Sequence, residues 1–472
     1  MEAEKKMGMN VLGRRSFLVG MGMGAAAFGL VGCAPAAPTD DDDSNEELAE
    51  TSAAPAEVTA DTVKIVAPES DDMTLEELNR RRQELIDAKT EDYVCEDGTV
   101  IPSVYVKLRA LLDSYCFGVG SAVHDHCFDE IMFHFTPEDA QIYLEMPMGT
   151  LFDAAEFASK SGRSEAECAA VCEDLSSRGL LFRSRQNGKV LYHQLAEAHG
   201  IWEYNMDKYE LNDGELPKLH AMTAGLNAVE QLCNAQTTFY NAVPCSREVV
   251  GDTKIALPYD DYEAIVDKFD ILAVSPCQCR MSKKLRDIDD PGDHPLETCI
   301  TTGEEAEYYL ENGIGRAITK QEALDIIRAS VDAGMVIQVC NSEKTEVICS
   351  CHGDCCGILG AYVAIAQNPD DDPANYNCFE HLSHYNLRHN EEDCIKCGAC
   401  EKQCPLFAIT MDEETGFPVV NGTCVRCGQC GTVCPVGART LHLKEEILEL
   451  PEDMLADYNL KAKYRFEHDM IS

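Results

Sequence analysis

Basic residues are scarce in this chain: 39 Lys and Arg stand against 83 Asp and Glu, a formal net charge of -44 over 472 residues. A surface of that sign repels nucleic acid and anionic lipid and is open to basic partners. Nucleotide fingerprints are missing as well, with no G-x-G-x-x-G after a strand-like run and no P-loop. Long apolar runs are few. Beyond the first 33 residues the longest, Cys355 to Ala366, stops at twelve, short of the ~20 that a membrane helix needs. The excess lies in cysteine, 25 in number and clustered rather than scattered. The rest of the composition is ordinary for globular protein, and the length allows roughly two to four domains with their own cores.

The first 33 residues read as an address and not as fold. In "GRRSFLVGMGMGAAAFGLVGC", Arg14 and Arg15 precede Phe17 and Leu18, an uncharged Gly- and Ala-rich stretch runs to Gly32, and Cys33 follows. This resembles a twin-arginine export signal, and Leu30-Val31-Gly32-Cys33 resembles a lipobox. The resemblance implies lipidation at Cys33, export of a chain already folded around its cofactors, and a mature lipoprotein tethered to the membrane outside the cytoplasm. Residues 34–60, rich in Ala, Pro, Thr and acid, read as a solvated linker.

The expected fold is α+β and multidomain. Residues 61–134 read as a helical N-terminal region, opened by a capping box at Thr74 and Glu77. Over 135–204 the pattern is helix to Gly162, a second helix capped by Ser164 and Glu167, then a hairpin turning at Asn187-Gly188. This resembles a winged-helix domain. Its second helix carries Glu165, Glu167, Glu173 and Asp174, which favours a structural or protein-docking role over DNA binding, although Arg183, Arg185 and Lys189 lie on the wing. Cys168 and Cys172 read as core residues. Residues 218–388 read as a cysteine-rich α+β middle domain, with short strands delivering Cys277 and Cys349 and a capped helix from Thr319 to Gly334. Residues 446–472 read as a C-terminal tail.

Between them, in 389–445, "CIKCGACEKQCP" at Cys394 and "CVRCGQCGTVCP" at Cys424 repeat with a period of 30. Each is C-x2-C-x2-C-x3-C-P. Two-residue spacers wrap a tight loop that offers three thiolates to one metal-sulfur cube, and the fourth cysteine leaves on a short helix. The run resembles the bacterial two-cluster ferredoxin domain over about Asp393 to Leu441. That resemblance implies two [4Fe-4S] clusters, one on Cys394, Cys397, Cys400 and Cys434, the other on Cys424, Cys427, Cys430 and Cys404. With all eight thiolates spent, such a domain transfers single electrons and does no bond chemistry.

With those eight and Cys33 set aside, sixteen cysteines remain, and seven fall in one segment: Cys277, Cys279, Cys299, Cys349, Cys351, Cys355 and Cys356. Three chemistries compete for them. Disulfides suit an exported protein, but adjacent cysteines rarely bond each other and seven is odd. Zinc would take four thiolates, usually at wider spacing. An iron-sulfur site accepts tight C-x-C and C-C pairs. His294 and His352 are candidate alternative ligands or proton donors. His381, His384 and His389 read as solvated.

The order C-x-C-R, H-P-x-x-x-C, a capped helix, C-x-C-x3-C-C and then the repeated run, preceded by "FTPEDAQIYLEM" and by Gly200 to Tyr204, is similar to a group of anaerobe proteins known mainly as 4Fe-4S binding proteins. The likeness spans most of Phe135 to Leu441 and implies a further iron-sulfur cluster on a subset of the seven cysteines. The expected function is an extracytoplasmic electron-transfer protein of anaerobic respiration. It would act as a carrier, or as a subunit between a membrane quinol or cytochrome module and a catalytic reductase, rather than as a stand-alone enzyme. Two other readings are an iron-sulfur enzyme with its active site in the middle domain and a redox-sensing winged-helix protein.

Overall fold

Local rules lay out the first elements. Strand β1 (Lys64–Val66) leads to helix α1 (Leu75–Asp87), whose N-cap Thr74 accepts from the Glu77 amide. A ribbon of β2 (Tyr93–Val94) and β3 (Val100–Ile101) precedes α2 (Ser103–Asp113), α3 (Asp129–His134) and α4 (Pro137–Leu144). Helices α5 (Ala154–Ser161) and α6 (Glu165–Ser177) each begin with a reciprocal capping box, Asp153 with Glu156 and Ser164 with Glu167. The antiparallel hairpin β4 (Leu181–Gln186) and β5 (Lys189–Gln194) turns at Asn187-Gly188, both at positive φ, and α7 (Ile201–Tyr204) follows. The computed structural model describes residues 58–70, 72–119, 128–205, 236–251, 257–285, 294–368 and 376–471. Arg14, Arg15, Cys33 and nearly all of the expected linker lie outside the described residues.

The middle of the chain builds one antiparallel sheet. Its parts in chain order are β6 (Tyr240–Ala242), α8 (Tyr262–Lys268), β7 (Leu272–Pro276), α9 (Gln278–Leu285), β8 (Glu297–Thr302), α10 (Gly303–Glu311) and β9 (Arg316–Ala317). They continue with α11 (Lys320–Asp332), β10 (Val336–Cys340), β11 (Val347–Cys351) and α12 (Gly357–Gln367). The strand order is β6-β10-β11-β8-β7-β9. Alternation along the strands sorts the side chains. Leu272, Val274, Ile300, Ile337, Val339 and Ile348 face Ile265 and Val266 of α8 and Ala323 and Ile327 of α11. Residues of the opposite parity, Ala273, Cys299, Cys340 and Val347, join the aromatic core formed with α10 and the N-terminal helices.

The last part holds β12 (Tyr385–His389), α13 (Ala399–Gln403), β13 (Ile409–Met411), β14 (Pro418–Val420), α14 (Gln429–Thr432) and β15 (Arg439–Leu443). β12 pairs with β15 and β13 with β14, both antiparallel. The segment that reads as a tail is built into the body instead. It carries β16 (Glu446–Leu448), parallel to β1, and α15 (Met454–Glu467), whose fully buried Arg465 lies 3.1 Å from the fully buried Asp113 at the end of α2. Tail-like composition gave no sign of this, because the partners stand more than 300 residues away. Thr59–Ser472 form one compact unit.

Candidate functional site

The 30-residue repeat persists in the backbone of the C-terminal part. Lys396 and Arg426 both take φ near +55°, and Gly398 and Gly428 both take the left-handed region one step before the third cysteine's helix. Past the fourth cysteines, the Ala408 amide donates to Cys404 Sγ at 3.3 Å and the Ala438 amide to Cys434 Sγ at 3.2 Å. The Lys396 amide donates to Cys394 Sγ at 3.4 Å. Backbone N–H groups aimed at sulfur stabilise the anionic thiolate form that binds metal.

Cys394, Cys397, Cys400 and Cys434 line a single cavity with Ile395, Met411, Val436 and His389. Both ring nitrogens of His389 are buried beside this cavity. The ring therefore lines a space whose contents it could bond, and it is not the solvated histidine that the sequence suggests. In the other quartet, Cys430 feels the charges of Cys424 and Cys404, and Cys427 those of Cys430 and Cys424. Burial holds the thiols of Cys424, Cys427 and Cys430 above their usual range. A buried quartet that ionises only at such cost calls for a compensating cation. Four sulfurs around a cavity, with amide donors to Cys394 and Cys434, fit an iron-sulfur cube, and the second quartet repeats the spacing and the amide donor to its fourth cysteine.

The two sites differ in setting. Cys397 is exposed, and Ile395 and Val436 at its rim are 59% and 41% exposed, whereas Cys427 and Cys430 are buried. Gly428 sits beside the buried pair at φ +87°, where a Cβ would fall 2.6 Å from Val249 and 3.5 Å from Cys245 Sγ. The second loop is thus pressed against the middle of the chain.

All seven middle cysteines come together. The antiparallel register pairs Ser275 with Cys299 and Ile300 with Ile348, which brings Cys299 beside Cys349 at one end of β7, β8 and β11. Cys277 and Cys279 flank the start of α9, and Cys356 caps α12, accepting from the Leu359 amide at 3.5 Å. The Gly357 amide donates to Cys279 Sγ at 3.5 Å. Thiol contacts run in a continuous chain: Cys277 to Cys279, Cys279 to Cys356, Cys356 to Cys351, Cys351 to Cys349, and Cys349 to Cys299. Contact with a neighbouring thiol, reinforced by burial, holds Cys277, Cys349 and Cys351 well above the usual thiol range. Buried Arg280 is the cation among them, donating to the Ser350 carbonyl at 3.1 Å and lying 3.9 Å from Cys355 Sγ. Arg280 is the arginine of the C-x-C-R order, and its place as a buried cation among the thiols follows from the fold and not from that spacing.

This network touches the C-terminal part directly. Cys351, Cys356, Leu359 and Val363 share one apolar cluster with Leu406, Ala408, Val425 and Cys427. The Gly353 amide donates to the Pro405 carbonyl at 2.9 Å. Cys168 and Cys172 are fully buried core residues, as expected of them. His384 is buried against Asp260, its Nδ1 2.9 Å from the carboxylate, so it too is not solvated. Beside Cys299 and Cys349, in the aromatic core, lies a buried polar knot that no motif announced. His199 meets Glu305 at 3.3 Å and the Tyr240 hydroxyl at 3.1 Å, and Tyr204 donates to Glu305 at 2.7 Å.

Searches of curated proteins and of solved structures found no match to the chain. One segment does match a family: residues 388–441 correspond to the 4Fe-4S dicluster domain, so the chain carries an iron-sulfur domain, with the electron-transfer or redox role such a domain implies.

Proposed function

We propose that this is an electron-transfer protein in which the middle cysteines and the two C-terminal quartets form one conduit. The observation that carries the reading is the shared apolar cluster that joins Cys351 and Cys356 to Leu406 and Cys427 without a solvent layer. A bound [4Fe-4S] cluster takes up and gives back one electron. Cys394, Cys397, Cys400 and Cys434 would hold one, Cys424, Cys427, Cys430 and Cys404 a second, and a subset of the seven middle cysteines a third. The chain's own contribution is position and dielectric. Thiolates fix each site, amides of Ala408 and Ala438 favour their charge, and Leu406 with Ala408 keeps water from between the buried sites.

Exposure sets the direction of traffic. The quartet around Cys397 opens to solvent and offers the exit toward a protein partner, and the buried quartet is the relay. Arg14-Arg15 and Cys33 support export in the folded state and a lipid tether, which would place the partner at the outer membrane surface, as a quinol or cytochrome module or a reductase subunit. The DNA-reading alternative loses support at the hairpin. Arg183, 6% exposed, pairs with Glu311 at 2.6 Å and Glu173 at 2.9 Å, Arg185 pairs with Glu311 at 2.6 Å, and Lys189 lies 3.5 Å from Asp153. Those wing cations are spent on this chain's own carboxylates, which favours a structural role for the winged-helix-like unit.

The test is iron and acid-labile sulfide per chain in anaerobically prepared protein, before and after Cys351→Ser. About 12 iron falling by about 4 is the expected result. About 8 iron, unchanged by the substitution, would confine the clusters to the C-terminal domain and end the three-site reading.

A further inference from the structure

Six of the seven middle cysteines form the unbroken thiol chain described above, and Cys355 stands apart from it. Its sulfur contacts the His352 carbonyl at 3.6 Å and the Arg280 guanidinium at 3.9 Å. His294, Asp354 and Cys355 each offer one ligand atom, and the three atoms lie within 4.8 Å of one another. His294 Nε2 is 3.2 Å from Asp354 Oδ2, and His352 Nδ1 is 2.8 Å from Asp354 Oδ1. The two imidazole rings face each other with centroids 4.6 Å apart.

The hydrogen bonds around this group do not close. Asp354 Oδ1 is buried and receives no donor among the described residues. Its nearest polar neighbour, His352 Nδ1, is itself placed to accept from the Asp354 amide at 3.4 Å. His352 Nδ1 lies 2.8 Å from Asp354 Oδ1, so the pair is bonded only when that ring nitrogen carries a proton, and a cation beside the carboxylate would satisfy it without one. Arg280 does not supply that positive charge. Its guanidinium is committed to Ser350 and Thr298 and leans toward Cys277, Cys351 and Cys355. Lys283 bonds the Asp354 main-chain carbonyl.

We infer that His294, Asp354 and Cys355 bind a divalent cation of the zinc class, separate from the iron-sulfur sites, with His352 beside Asp354 as its neighbour. One imidazole, one carboxylate and one thiolate make a borderline donor set, the kind that suits zinc with water in the fourth position. The cation would neutralise Asp354 and the Cys355 thiolate together. Its position also matters: the Gly353 amide bonds Pro405, and the His352 ring lies 5.8 Å from the Phe407 ring. A metal here would pin the loop that joins the middle site to the C-terminal domain. The site itself stands on its own geometry; only the use of the other six cysteines rests on the cluster reading.

The test measures zinc, iron and sulfide on the same anaerobic full-length samples, with zinc affinity read by competition with a chromophoric chelator. One zinc per chain is expected, bound at least 10-fold more weakly in Asp354→Asn and in His294→Ala, with iron and sulfide unchanged in both. The zinc absorption edge should fit one sulfur and three nitrogen or oxygen ligands, and lose the sulfur in Cys355→Ser. No zinc retained by the unsubstituted chain in the presence of added Zn2+ would overturn the proposal. So would a loss of about 4 iron and sulfide in Cys355→Ser, which would return that thiol to a cluster. Iron at about 8 with zinc still bound would instead defeat the third cluster and leave this site standing.

Discussion

Among single residues, His199 is the clearest case of competing terms. It is 2% exposed, and burial alone would push its pKa down. Glu203, and after it Glu305, outweigh that and raise it to about 10. A raised folded-state pKa contributes stability that is fully present below the unfolded value of about 6.5 and is lost as pH rises through about 10. His199→Gln removes this term, so denaturant unfolding measured from pH 6.5 to 9.5 should fall less steeply in the variant than in the parent. The difference in slope should approach about 1.4 kcal/mol per pH unit, one proton's worth. Buried tyrosines ionise in both proteins and cancel in the comparison; parallel curves would mean that His199 is neutral in the fold.

One scale up, the element that joins the two halves of the proposed conduit is the short loop between β11 and α12. Gly353 has no room for a side chain: a Cβ would lie 2.6 Å from the Pro405 carbonyl and 2.8 Å from Val363. Gly353→Ala should therefore cost about 1–3 kcal/mol and push the loop off the C-terminal domain. Stopped-flow reduction should then become biphasic, the middle site filling more slowly than the C-terminal pair, while iron content stays unchanged; a single unaltered phase would show that this contact carries no coupling. The cysteines of the loop were legible in the sequence and its contact was not. Cys351, Cys355 and Cys356 announce themselves by spacing, as do the two repeated runs, because metal ligation fixes short-range intervals. Gly353, Asp354 and Arg280 obey no local rule. They acquire their roles only when β8, α9 and β11 have been brought together, and contacts across 46 to 70 residues leave no periodic trace. Capping boxes were readable for the same reason as the ferredoxin spacing, since both lie within four residues.

At the scale of the whole molecule, the two ends of Thr59–Ser472 are sewn to each other. β1 runs parallel to β16, and α15 sets Arg465 against Asp113 while Tyr458 donates to the His199 carbonyl at 2.5 Å. This closure accounts for the misread tail: a strand of three residues and a helix with polar residues on most faces look unattached until their partner is known. Arg465 and Asp113 are both fully buried, so removing the cation takes a counter-charge from a carboxylate that water does not reach. Breaking such a pair costs about 3–5 kcal/mol. Arg465→Met should therefore loosen the N-terminal helices before the C-terminal domain, whose own sites are built from local spacing. Limited proteolysis is expected to cut first within residues 59–119 in the variant, while cluster absorbance persists. Simultaneous loss of absorbance and of the N-terminal region would show instead that the closure and the iron-sulfur domain fold as one cooperative unit.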